Sequence, residues 1–342
     1  MTPLRLIQVG AGGMGRAWLH AIAANPDVEL VGVVDLDPAT ASSALVATGS
    51  PQVPVTTSLT DALSGGRADA VVNVTVPAAH LPVNLEALGL GLPVLCEKPM
   101  AESVAGCLPM IDAAERAGQL LMISQSRRYY RHLASLREVL ATLGPVETAR
   151  CEFARAPRFG GFREQMAEPL IVDMAIHQFD LARDLMGRDP VSVYCSSSNP
   201  SWSWYAGNAV ATATFTFDGG ASFAYTGTWC GPHPETSWNG VWNLGAAGGG
   251  VRWDGDSLPQ AYDLDGGRVP VPERDVPEEI AGSLAEFVGC LRTGTEPATA
   301  GRRNVLSVAM VEAAVLSSRE GRVVTLAEVM ASAREGTDDR EL

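Results

Sequence analysis

The stretch LRLIQVGAGGMG, residues 4–15, runs from an apolar strand pattern straight into three glycines spaced as GxGxxG. In a strand–turn–helix arrangement each glycine has its own task. Gly10 makes the tight turn, Gly12 lets the backbone approach a pyrophosphate, and Gly15 lets helix and strand pack closely. Gly13 and Met14 complete the loop and lead into a helical pattern over residues 14–25, whose N-terminal amides and dipole favour an anion. The glycines alone are a weak signal. Twenty residues beyond Gly15, however, Asp35 closes a second apolar run, ELVGVVD, where a carboxylate would accept from the adenosine ribose hydroxyls. A merely flexible turn does not predict that acid, so Gly10, Gly12, Gly13, Met14, Gly15 and Asp35 are read as a dinucleotide site. Asp35 would also repel a 2′-phosphate, and the next basic residue in the chain is Arg67, so NAD is expected rather than NADP.

The pattern continues outward from that site. ADAVVNVTV, LPVLCEK and QLLMISQS are short and rich in Val, Ile and Leu, as strands buried on both faces should be. Helical patterns over residues 39–48, 79–89 and 103–117 separate them. The series predicts an α/β fold for residues 1–126: a doubly wound parallel sheet of the Rossmann type. After Ser126 the periodicity changes. A helix is expected over 131–143, a strand over 147–156 and one long helix over 166–186. The run AVATATFTF then alternates with period two and pairs with ASFAYTGTW through DGG, and further strands lie around Trp242, Val251 and Tyr262. Residues 127–342 are therefore expected to form an α+β domain carrying a broad, largely antiparallel open sheet. Helices over 278–292 and 302–320 close the chain and can pack back on the first domain.

Composition removes several function classes. The 342 residues are 46% hydrophobic and 19% charged, enough apolar material for two packed domains. A net charge of −14 argues against a nucleic-acid partner, which needs clustered Lys and Arg. No apolar run reaches the length of a membrane span, and the N-terminus enters a strand with no leader-like segment, so a cytoplasmic protein is expected. The six cysteines form no CxxC and no metal-ligand spacing with His, and read as buried thiols. Of the 25 basic residues only Lys98 is a lysine. Arg replaces Lys where only positive charge is needed, but it cannot release a proton near neutral pH. A solitary lysine in CEKP, at the end of a strand where ligands of open parallel sheets bind, marks a compact amine with a chemical task.

The octapeptide DMAIHQFD, residues 173–180, adds a second group. At about 100° per residue, Asp173, His177, Asp180 and Asp184 share a narrow arc while apolar residues fill most of the circumference. A surface helix shows a wider polar face, so this one should line an interior cleft. No third metal ligand presents itself by spacing, no metal is expected, and an acid–base role for Asp173 and His177 is favoured. Asp180 and Asp184 are read as structural.

VGAGGMG with Asp35, TVPAAH at 75–80, CEKPM at 96–100, SRRYY at 126–130 and DMAIHQFD together resemble the Gfo/Idh/MocA family, over nearly the whole chain and in the family's order. The resemblance implies an NAD-dependent oxidoreductase that moves hydride between nicotinamide and a hydroxyl carbon of a sugar or polyol. It implies that Lys98, Asp173 and His177 form the catalytic group, that Thr75, Pro77, His80 and Glu97 lie along the cofactor, and that Arg127 and Tyr129 open toward substrate. In the family a Gly-Gly pair shortly precedes the aspartate; here Gly160 and Gly161 stand farther from Asp173. His233, with Trp202, Trp204, Tyr205, Trp229, Trp238 and Trp242 around it in sequence, offers further polar and aromatic contacts for a carbohydrate. A homodimer or homotetramer through the C-terminal sheet is implied too. Two rival readings share the architecture: a glycosidase that keeps NAD bound, and a non-catalytic NAD-binding regulator.

Overall fold

The computed structural model describes residues 2–232 and 234–338. In chain order the first elements are β1 (Leu4–Val9), α1 (Gly13–Ala24), β2 (Val28–Val34), α2 (Pro38–Ala47), β3 (Val55–Thr56), α3 (Leu59–Ser64), β4 (Ala70–Asn73), α4 (Pro77–Gly89), β5 (Val94–Glu97), α5 (Val104–Ala117) and β6 (Leu121–Ser124). They are followed by α6 (Arg131–Leu143), β7 (Val146–Ala154), α7 (Phe162–Gln165), α8 (Ile176–Met186), β8 (Pro190–Ser198), β9 (Val210–Phe217), β10 (Ser222–Thr228), β11 (Val241–Ala246), β12 (Gly249–Trp253), β13 (Gln260–Asp263) and β14 (Arg268–Val269). The chain closes with α9 (Glu279–Thr293), α10 (Gly301–Glu320), β15 (Val324–Thr325) and α11 (Leu326–Asp338).

Two compact units divide these elements: Met1–Tyr129 with Pro277–Val305, and Tyr130–Val276 with Leu306–Leu342. The first break thus falls three residues past the expected one, and the later domain is not contiguous. The physical reason is α9, whose Leu284, Phe287 and Val288 share one buried cluster with Trp18, Ile22, Leu95 and Met122 of the first unit.

The first unit is built on a six-stranded sheet in the order β3-β2-β1-β4-β5-β6, parallel throughout. Every residue of β4, β5 and β6 is buried, which is why these runs read as continuous apolar stretches. Strand order reverses between β1 and β4, and ligands of such sheets bind outside the carboxyl ends at that reversal. Gly10, Asp35 and Thr75 follow the carboxyl ends of β1, β2 and β4 there. The short β3 and α3 were not expected, because two residues of strand carry no readable period.

The second unit carries a nine-stranded sheet, β14-β13-β12-β11-β7-β10-β9-β8-β15, antiparallel except for the β7–β10 pair. In β9, Ala211, Ala213, Phe215 and Phe217 point inward while Thr212, Thr214 and Thr216 are exposed, following the sequence alternation. Phe179 of α8 covers the inner face, with its ring 4.8 Å from Phe215 and 5.3 Å from Tyr225 by centroids. No helix among the described residues is long and apolar enough to cross a membrane.

The single long helix expected over 166–186 is a correction. Leu170–Ala175 forms a π-helical segment that starts after Pro169, and only from Ile176 onward is the helix α. Proline has no amide to donate and fixes the entry at this point. A π turn holds more residues than an α turn, so the 100° spacing that aligned Asp173 with His177 applies only beyond Ile176. The burial inference stands on the structure itself: all of Ile176–Ala182 is buried.

Phe179 is fully buried among aromatic rings. Phe179→Ala should destabilise the protein by about 3–5 kcal/mol, the usual range for emptying such a site. Urea unfolding monitored by tryptophan fluorescence checks this; an unchanged midpoint would contradict the packing described.

Candidate active site

The turn after β1 leaves no room for side chains at two places. Gly10 has φ +97°, and a Cβ there would lie 2.7 Å from the Val74 carbonyl oxygen. A Cβ at Gly15 would lie 2.5 Å from the Gly10 carbonyl oxygen. From beneath, the buried Gln8 amide donates to the carbonyls of Gly10 at 2.8 Å and Gly15 at 2.9 Å, a support that motif reading missed. Gly12 and Gly13 face open space, with no atom within 4 Å of where a Cβ would stand. No side chain caps the start of α1, and its first turn holds no acid. Its orphan amides and positive dipole end are left for an anion.

Asp35, at the end of β2, is half-buried and directed by two backbone amides. Ala11 donates to Oδ2 at 2.7 Å and Asp37 to Oδ1 at 2.9 Å. Open space over Gly12 and Gly13, uncapped amides and an aligned carboxylate together fit a dinucleotide: pyrophosphate at the helix start, adenosine ribose at Asp35. Leu36 is 92% exposed and Val76 67% exposed. These bare aliphatic side chains follow the two strands flanking β1, and would offer apolar surface to an adenine ring.

The ends of β4 and β5 carry the next group. Thr75 is half-buried and fixed by Asn73, whose Oδ1 accepts from Thr75 Oγ1 at 2.7 Å and from its amide at 3.2 Å. Pro77 opens α4, with no amide to leave unsatisfied. His80 is a correction: it is fully buried and presents no surface along which a cofactor could lie. Its Nδ1 stands 2.8 Å from the Pro99 carbonyl oxygen and its Nε2 3.1 Å from that of Thr75. Burial pulls its pKa below the usual imidazole value. Glu97 also turns inward, accepting from Trp18 Nε1 at 2.8 Å and from the Lys98 amide at 3.0 Å. Burial raises the pKa of its carboxyl despite those two donors. Glu97 is thus engaged by the protein rather than directed to a cofactor, while the half-buried Lys98 stands just past the carboxyl end of β5.

After β6, Ser126–Arg128 form a 3-10 turn in which Arg128 is buried and Arg127 half-buried. Tyr129 is a second correction. Its hydroxyl donates to Glu286 of α9, its carbonyl accepts from the Glu279 amide at 2.6 Å, and its side chain packs where Gly282 leaves space. Burial and the neighbouring carboxylate push the phenol pKa up. The residue anchors α9, and its hydroxyl proton is committed to Glu286.

In the second unit, Asp173 sits in the π-helical segment and His177 in the first turn of α8. Arg163 Nε donates to Asp173 Oδ2 at 2.7 Å, and its guanidinium lies 4.8 Å from the Phe162 ring centroid and 5.4 Å from that of Phe159. Sequence reading missed this pair, since α7 is a single helical turn with no readable period and Arg163 carries no signal of its partner. His177 is buried. Asp180 accepts from Ser307 at 2.6 Å and Asp184 pairs with Arg137 at 2.6 Å, so both are bound to structural partners. Trp229 is buried and stacks on Tyr205 at 5.7 Å, while Trp242 lies in the core against Phe223. Trp204 and Trp238 lie beneath Arg158 and Arg155 at 4.0 and 4.6 Å. His233 lies outside the described residues.

Comparison with known proteins matches this architecture. The model of an oxidoreductase family with an NAD-binding Rossmann fold matches residues 4–125, and that of the GFO/IDH/MocA C-terminal domain matches residues 134–248. D-apiose dehydrogenase of Paraburkholderia graminis is 29% identical over 349 residues, 95% of this chain and 90% of that protein. Inositol 2-dehydrogenase of Rhizobium meliloti is 30% identical over 198 residues, 56% of this chain and 57% of that protein. An oxidoreductase from Agrobacterium radiobacter, solved with NAD+, L-tartaric acid and magnesium, has a TM-score of 0.84 at 20% identity, covering 95% of this chain and 99% of its own. At that identity the likeness speaks for the fold. The two family matches together span most of the chain, which belongs to the Gfo/Idh/MocA oxidoreductases and carries their NAD-binding Rossmann domain.

Proposed function

We propose that the protein is a cytoplasmic, NAD-dependent dehydrogenase that moves hydride between nicotinamide and a hydroxyl-bearing carbon of a sugar or polyol. The observation that supports this most is the chain's only lysine, standing past the carboxyl end of β5 in the same sheet as the glycine turn and Asp35. The D-apiose and inositol dehydrogenases among its relatives favour the same substrate class. Gly12, Gly13 and Met14 would hold the pyrophosphate on a turn that Gly10 and Gly15 allow to pack closely, Asp35 would hold the adenosine ribose, and Thr75 and Pro77 would line the path toward Lys98. When bound, NAD supplies the hydride acceptor.

The protein's own groups would handle the proton and the oxygen. Lys98 donates a hydrogen bond to the substrate oxygen as negative charge develops there. His177 takes the hydroxyl proton and returns it in the reverse direction, a task suited to an imidazole near neutral pH. Asp173 orients that ring or holds a neighbouring hydroxyl, and Arg163 aims its carboxylate through the 2.7 Å hydrogen bond. Arg127 and His233 are further candidates for substrate hydroxyls. No resident metal enters this scheme. The exposed threonine face of the nine-stranded sheet is the surface through which a homodimer or homotetramer would form.

Absorbance at 340 nm should rise when NAD is mixed with a responsive member of a sugar and polyol panel, and a panel without any response would count against the reading. Lys98→Ala and His177→Ala should each lower kcat by about 10²–10⁴-fold, the usual scale for such groups; unchanged turnover in both would remove the assignment. Asp35→Ala deletes charge-assisted hydrogen bonds worth about 1.5–3 kcal/mol. It should weaken NAD roughly 10–100-fold by the same principle while improving NADP relative to NAD, as equilibrium titration of the two cofactors would show. A selectivity ratio unmoved by the substitution would contradict the role given to Asp35.

A further inference from the structure

The loop after β4 and the turn after β5 are joined by a line of buried polar side chains, and burying such groups is costly unless each is hydrogen-bonded. Asn73, His80 and Asn84 are all fully buried. Asn84 Nδ2 donates to Met110 Sδ of α5 at 3.2 Å, and Asn73 Nδ2 donates to Asn84 Oδ1 at 2.7 Å. Asn73 Oδ1 then takes the Thr75 hydroxyl, and His80 stands between the carbonyls of Thr75 and Pro99. The line therefore runs Met110–Asn84–Asn73–Thr75–His80–Pro99. It ties α5, α4 and the end of β4 to the residue that follows Lys98.

Stability alone does not account for this arrangement. Apolar side chains of similar size would fill the same space without desolvating two amides and an imidazole. What a hydrogen-bonded polar line adds is a single register, because a slip by either loop costs a buried group its partner. Each ring nitrogen of His80 faces a carbonyl oxygen and a neutral imidazole carries one N–H, so the ring bonds one loop and abuts the other.

We infer that His80 is a positioning residue: bridging the Thr75 and Pro99 carbonyls, it holds the Lys98 turn at a fixed offset from the loop after β4. Only the consequence for turnover rests on the dehydrogenase reading; the consequence for Lys98 does not. His80 touches neither substrate nor cofactor, and acts through the backbone of Pro99, which follows Lys98, and of Thr75.

The single lysine makes the test direct. Reductive methylation with ¹³C-formaldehyde labels Lys98 and, besides it, only the N-terminal amine, giving one assignable side-chain resonance without any substrate present. The full-length protein, His80→Phe and His80→Gln would be compared by this resonance, by thermal midpoint and by steady-state kinetics on unlabelled protein. His80→Phe removes both carbonyl contacts at similar volume. It should displace or broaden the Lys98 resonance and lower kcat about 10–100-fold, a supporting-residue scale, with little change in KM for the carbohydrate. His80→Gln, which keeps one donor, should fall between the two. A folded His80→Phe protein whose Lys98 resonance coincides with wild type would overturn the inference. Should the Phe variant fail to fold, the Gln variant decides by the same resonance, displaced or coincident. Wild-type protein that turns over no carbohydrate would instead tell against the dehydrogenase reading alone.

Discussion

A dinucleotide presents its pyrophosphate as a compact anion, and a parallel sheet can meet it only where backbone, free of side chains, reaches the carboxyl edge. The close passage of the β1–α1 turn over the end of β4 creates that edge here. Gly10 lies against Val74 and Gly15 against Gly10 at distances no Cβ would tolerate, while Gly12 and Gly13 open outward. Gln8 holds the turn from within the sheet and Asp35 holds it from the side through the Ala11 amide. The glycines thus divide into two that pack the protein and two that leave space for a ligand.

In each unit the polar groups singled out by the sequence have partners that are mostly other parts of the protein. Glu97 is bound by Trp18 and the Lys98 amide, Tyr129 by Glu286, and His80 stands between two carbonyls. In the second unit Arg163 neutralises Asp173, and Asp180 and Asp184 have their own partners. In the proposed reading a short set of side chains acts on the substrate, and the bonded set supports it. Such support is what fixes a catalytic group to within a fraction of an ångström.

Local signals made the first unit readable. The glycine spacing, Asp35 and the buried strands all depend on neighbours within one strand–helix–strand unit, so periodicity and motif sufficed. The β9 alternation and the buried character of the Phe179 helix were legible for the same reason. The misread positions depend on distant partners. Tyr129 looked available because Glu286 lies 157 residues away, and Glu97 because Trp18 lies 79 residues away. His80 sits in a motif that the family associates with the cofactor, yet its ring is spent on backbone carbonyls that no sequence pattern announces. The π-helical segment at Asp173 was hidden because only Pro169 and the packing around it distinguish it from an ordinary helix. The packing of α9 on the first unit is among the sequence expectations, but its partners Trp18 and Ile22 are long-range and emerge only from the structure.

The claim beneath all of this is that the carboxyl edge of the parallel sheet is built for NAD. Diffraction from crystals grown with NAD tests it most directly. The account predicts pyrophosphate oxygens on the backbone amides at the start of α1, the adenosine ribose hydroxyls on the Asp35 carboxylate, and the nicotinamide on the Lys98 side of the sheet. Ordered NAD elsewhere on the molecule, with those amides and Asp35 untouched, would contradict it.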